Sequence, residues 1–115
     1  MAIYNAGEGT FKKFFEVTDE DIERSTTTGI AGPFAFSRAA ITAFKTNQLS
    51  DPIKHPNEGT RKRGTLIFTG ATASLRGNTV TSIFSVTKFA VRSLSQSLNK
   101  EFGPENIHVA HVSAS

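Results

Sequence analysis

Residues 64–102 pass from a short apolar run to a helical hydrophobic period, and that succession constrains the fold more than any other feature of the chain. The run Thr65-Leu66-Ile67-Phe68-Thr69 is β-branched and aromatic, the composition of a buried strand. A small-residue loop follows over 70–78. Ile83, Phe84, Val86, Val91, Leu94, Leu98 and Phe102 then recur mostly at three- and four-residue steps, with Phe89 and Ala90 beside the row. That spacing lays one broad apolar stripe along a helix. Strand, glycine-bearing loop and helix make half of a βαβ unit, and ligands of such sheets sit at the carboxyl ends of the strands. The loop after Thr69 and the start of the helix are where chemistry is expected.

Residues 1–5 read as a strand stub, with Ile3 and Tyr4 apolar and a turn signal directly after them. Gly7 and Gly9 offer Gly-x-Gly behind that strand. The third glycine of a dinucleotide loop is missing, because Lys12 stands there, and no acidic residue follows at the end of a second strand, so the stretch reads as a turn. Phe11, Phe14, Phe15 and Val17 form an apolar cluster leading into a helix. Thr18 and Asp21 resemble a capping box with aspartate in place of glutamate. Asp19, Glu20, Asp21 and Glu23 suit the positive end of a helix dipole, and read as a solvated first turn rather than as metal ligands. From Ile22 the helix is expected to run to about Lys45, kinked or broken over 29–33, where two glycines and Pro33 follow a run of threonines.

Residues 46–63 read as an irregular loop containing Pro52 and Pro56. Its Arg61-Lys62-Arg63 run lacks interleaved aromatics and reads as a solvated entry to the strand rather than a nucleic-acid patch. Gly103-Pro104 is a stop signal, with glycine at the helix cap. The last strand is expected over 107–112. His108 and His111 stand three residues apart on it and point to opposite faces, which argues against a metal pair.

Composition narrows the classes further. The chain has 115 residues and reads as one domain. It has no cysteine, which removes disulfides, thiolate nucleophiles and Cys-based metal sites. A net charge of +3 spread along the chain points to no nucleic-acid partner. No apolar run approaches the ~18–20 residues that span a bilayer, and the first residues lack the basic flank and apolar core of a signal peptide. The expectation is a cytoplasmic domain with neither membrane nor nucleic-acid partners.

The patterns TGATASLRG, FSVTKFAVRSLSQSLNKEFG and NIHVAHV resemble the short-chain dehydrogenase/reductase family. The resemblance implies an α/β fold: a single partial, doubly wound Rossmann-like domain over 1–115, with about three parallel strands and two long helices. It implies NAD or NADP as cofactor and hydride transfer between the nicotinamide and a carbonyl or alcohol carbon. Asn5-Ala6-Gly7 resembles the Asn-Ala-Gly element that ends the family's fourth strand beside the cofactor. Asn5, Ala6, Gly7 and Lys88 are therefore the implied cofactor-binding positions, and Lys88 is also the surviving member of the catalytic set.

The other catalytic positions depart from the family. Phe84 stands where it has a tyrosine, Ala71 where it has a serine, and Gly29 where it has an asparagine. Thr72, Ser74 and Ser85 carry hydroxyls nearby. The glycine-rich first βαβ half has no counterpart. Two readings follow. One is an NAD(P)-dependent oxidoreductase, truncated and without its Tyr, Ser and Asn. The other is a non-catalytic relative or fragment that acts as an interaction module. As a partner, the resemblance implies either a second copy or a full-length relative, paired through the two long helices that form the family's dimer interface.

Overall fold

The structure, a computed structural model, describes residues 1–5, 9–46, 63–71 and 77–114. Three strands form one sheet in the order β1 (Ala2–Tyr4), β2 (Gly64–Ala71), β3 (Ile107–Ala114), all parallel. β2 is central. Its pairs run from Gly64 with Ile107 to Ala71 with Ala114. Both long strands therefore extend past the ends expected at Thr69 and Val112, because each supplies the other's last ladder partners.

Parallel strands need crossovers, and helices supply them. The first crossover is one continuous helical segment: α1 (Asp19–Thr26), a π-helical turn at Thr27–Ala31, and α2 (Gly32–Lys45). The capping box forms with aspartate: the Asp21 N–H donates to Thr18 Oγ1 at 3.1 Å and the Thr18 N–H to Asp21 Oδ2 at 3.0 Å. It starts the helix at Asp19 rather than Ile22. The kink or break expected over 29–33 takes the form of this single widened turn. Pro33 falls in the first turn of α2, where a missing N–H is tolerated.

The second crossover is α3 (Ser82–Phe102). Gly103 caps it, as the sequence predicts. Gly103 keeps helical angles and the chain tightens into a 3-10 turn at Gly103–Glu105. Asn106 takes the left-handed conformation instead (φ 63°, ψ 30°), which asparagine tolerates better than most residues. The Asn106 carbonyl accepts from the Arg63 N–H at 2.8 Å, so the turn is tied to the start of β2.

α2 and α3 cover one face of the sheet. Leu66 and Phe68 are fully buried there, with Ile107 and Val109 beside them on β3 and Ile41, Phe44 and Val91 from the helices above. Alternation sends Ile3, Ile67 and Ala110, which share one register row, to the other face. No described helix covers that face, and Ile3 and Val112 are more than half exposed. The Phe11, Phe14, Phe15 group is largely exposed as well, with Phe15 at 97%. No described helix is long and apolar enough to cross a membrane.

Candidate active site at the carboxyl ends of the strands

The carboxyl ends of β1, β2 and β3 lie on one edge of the sheet, and the first turns of α3 stand beside them. Tyr4 closes β1. Its hydroxyl donates to the Thr28 carbonyl at 2.7 Å, and its ring packs on Phe36 and Phe68 at 5.3 and 6.2 Å. A π-helical turn misaligns carbonyls from the regular ladder, and the Tyr4 hydroxyl occupies one of them. Burial holds that phenol above its usual range. A β-carbon on Gly32 would stand 2.5 Å from the Tyr4 oxygen, so only glycine lets β1 and the helix approach this closely.

Gly29 lies inside the π-helical turn and faces α3. A β-carbon there would stand 2.6 Å from Thr87 Cβ. The two helices therefore touch backbone to side chain one residue before Lys88. An asparagine at position 29 has no room in this arrangement.

On α3, Phe84 and Lys88 are one turn apart. The Lys88 Nζ lies 5.5 Å from the centre of the Phe84 ring. The other neighbour of Phe84 is Phe11, with ring centres 4.9 Å apart and planes tilted by 51°. Lys88 is half-buried, and burial holds its ammonium below the usual lysine range. It makes no ion pair with a described carboxylate. Ser85 is buried beside Thr81 and Gly77, with its N–H donating to the Thr81 carbonyl at 2.7 Å.

His111 occupies the same register row as Phe68 and so faces α3. Its Nε2 is buried with no hydrogen-bond partner among the described residues. Burial first, then the charges of Arg92 and Lys88, hold its imidazole below the ordinary value of 6.5. His108 is on the opposite face and exposed. The alternation Ile107, Val109, His111 already carried the signal that puts His111 on the buried face. Nothing local marked Tyr4, Phe11 or Thr87 as site neighbours.

Of the residues singled out from sequence, the structure brings Phe84, Lys88 and Gly29 to one end of the α1–α3 contact. Asn5 follows β1 and is exposed, and Ala71 ends β2 opposite Ala114. Ala6, Gly7, Thr72 and Ser74 lie outside the described residues.

The arrangement matches known proteins. The short chain dehydrogenase family matches residues 1–115. A short-chain dehydrogenase/reductase of Armillaria gallica is 31% identical over 109 residues, covering 95% of this chain and 37% of that protein. A short-chain dehydrogenase structure from Rhodopseudomonas palustris superposes with a TM-score of 0.78 at 31% identity, covering 96% of this chain and 46% of that one. One from Burkholderia cenocepacia in complex with NADP superposes with a TM-score of 0.75 at 21% identity, covering 96% and 39%. The chain thus spans less than half the length of each. By sequence and by fold it belongs to the short-chain dehydrogenase family.

Proposed function

We propose that this chain forms the nicotinamide-side half of an NAD(P)-dependent oxidoreductase domain that lacks the family's proton-transfer group. The observation that carries the reading is the pairing of Phe84 with Lys88 one turn apart on α3. Lys88 would hold the cofactor ribose, with Asn5, Ala6 and Gly7 lining the end of β1. Bound there, the nicotinamide would supply the acceptor or donor of a hydride. This chain's own residues would bind and orient it. They would not move the matching proton, because the Phe84 ring has none to give. Losing a general acid lowers rates by about 10²–10⁴, and Ala71 and Gly29 offer no hydroxyl or amide in its place.

The described residues fit the ribose end of the cofactor and not its pyrophosphate. Lys88 presents an ammonium with no described carboxylate against it, beside Arg92. The amino end of α1 carries Asp19, Glu20 and Asp21 in its first turn, which disfavours a second anion there. A cytoplasmic location fits the cofactor that this reading requires.

A second reading, a non-catalytic interaction module, is favoured by a different observation. A groove of about 350 Å³ runs between α2 and α3, lined by Phe34, Ile41, Leu94, Leu98 and Phe102. Phe34, Val86 and Phe89 are exposed on these helices. A second copy, or a full-length relative, would cover this surface.

Thermal unfolding with and without NADH or NADPH tests the first reading, since a ligand that binds only the folded state raises the midpoint. A midpoint that rises with nucleotide supports it. A cooperative transition indifferent to both nucleotides overturns it and leaves the interaction module.

A further inference from the structure

The segment that leaves β1 holds an aromatic ring in an unusual way. Thr10 is buried at 5% exposure, whereas its neighbour Phe11 is 59% exposed. Exposed phenylalanines are ordinarily free to move. This one is fixed from three sides. Its ring packs against Phe84 at 4.9 Å. It folds back over Gly9, where a β-carbon would stand 3.2 Å from the ring edge. The next residue, Lys12, is tied to α1, with its ammonium 2.8 Å from Asp21 Oδ2.

Asp21 is a firm anchor for that tie. It is 3% exposed, and its second oxygen takes the Arg24 guanidinium at 2.7 Å. The Thr18 N–H donates to the same oxygen as Lys12, at 3.0 Å. Through that carboxylate Lys12 ties the segment to α1, and the Phe11 ring beside it keeps more than half of its surface open. It stands next to Phe84, whose ring centre also lies 5.5 Å from the Lys88 ammonium.

We infer that Phe11 is a specificity-determining residue: together with Phe84 it forms an aromatic wall that selects carbonyl or alcohol compounds bearing a flat apolar group, the polar oxygen lying towards Lys88. Asp21 acts as a positioning residue through Lys12. This rests on the cofactor reading, which places a carbonyl or alcohol ligand at this edge of the sheet. Two rings already at a tilt of 51° offer a third flat group an edge and a face, the geometries that aromatic pairs prefer.

The test measures binding of two probes to the purified chain in the presence of excess NADH, by ligand-observed NMR. The probes are 1-tetralone, a flat aryl ketone, and hydroxyacetone, a small polar one. Wild type should bind the aryl ketone at least tenfold more tightly than hydroxyacetone. Phe11→Ala should lose about tenfold of that preference, and Lys12→Gln, which leaves Asp21 paired with Arg24, should lose severalfold. Phe15→Ala, which removes a ring that is 97% exposed, should bind as wild type does.

Equal affinity for the two probes, or an unchanged preference in Phe11→Ala, overturns the inference. So does a loss in Phe15→Ala as large as that in Phe11→Ala, since that marks general adsorption to exposed rings or a protein-docking face. NADH binding without aryl-ketone binding overturns this inference alone. Failure of both ligands to bind overturns the cofactor reading with it.

Discussion

Lys88 and Phe84 face each other one turn apart on α3, with the ammonium 5.5 Å from the ring centre. Lys88→Met keeps the apolar stem and removes the charge. The contact to the ring is worth about 0.5–1 kcal/mol at a site of this exposure, so unfolding free energy should change by no more than about 1 kcal/mol. On the proposed cofactor reading, this variant should show no rise in midpoint with nucleotide. Parallel melts of the two proteins, each with and without NADH, check both halves of this expectation.

His111 makes stability fall towards mildly acidic pH. Its folded value lies below the ordinary 6.5, so the unfolded chain takes up a proton first. Its contribution is present above pH 6.5 and is lost as pH falls below that value, with a slope of at most about 1.4 kcal/mol per pH unit. Urea titrations between pH 7.5 and pH 5 should show this slope in wild type, and His111→Leu should flatten it. His108→Leu, on the exposed face, should leave it in place.

Asp21 governs the acid limb at lower pH. The Lys12 ammonium first, then the Thr18 backbone N–H and the Arg24 guanidinium, hold its carboxyl well below the ordinary carboxylate range. The stabilisation is present above the unfolded value of about 4 and is lost as pH falls through the folded one. Asp21→Asn should lower stability at pH 7 and remove most of this acid dependence. Thr18→Ala, which removes the cap oxygen together with its methyl group and leaves the Asp21 carboxylate, should cost about 1 kcal/mol. Circular dichroism during acid titration of the three proteins separates the two effects.

Gly29 touches Thr87 too closely for any side chain. Gly29→Ala puts a carbon 2.6 Å from Thr87 Cβ and should destabilise by about 1–3 kcal/mol through overpacking. Thr87→Gly removes both contacting carbons, at a cost of its own of about 1 kcal/mol for glycine in a helix. In the double variant the Gly29→Ala penalty should largely vanish. A double-mutant cycle with no coupling energy would sink this account of the α1–α3 contact.

Much of the fold was legible because its signals are local or periodic. The short apolar run at 65–69 and the helical stripe from Ile83 to Phe102 are such signals, and both elements form where they place them. The Thr18–Asp21 cap is a contact over three residues, and it forms. The kink or break expected over 29–33 takes the form of a π-helical turn at Thr27–Ala31, a form that propensity does not give because it counts only what a residue costs its own helix. The Tyr4 hydroxyl on the Thr28 carbonyl and the fit of Gly29 against Thr87 come from other elements. The left-handed turn at Asn106 escaped the sequence for a related reason: the Asn106 carbonyl has a partner in Arg63, and that partner is brought there by the sheet.

The candidate site divides the same way. That Phe84, Ala71 and Gly29 carry no hydroxyl or amide side chain is written in the sequence, and no folding can supply one. Sequence periodicity likewise determined that Phe84 and Lys88 share one helix face, since residues four apart on a helix are neighbours. Only the tertiary structure decided what surrounds them. Phe11 packs on Phe84 while Lys12 meets Asp21 across the turn into α1, and His111 shares the row of Phe68 because β3 pairs with β2 in one register rather than the next. A one-residue slip would turn His111 to the open face. Contacts of this kind depend on long-range packing, whose energy no local stretch of the chain contains.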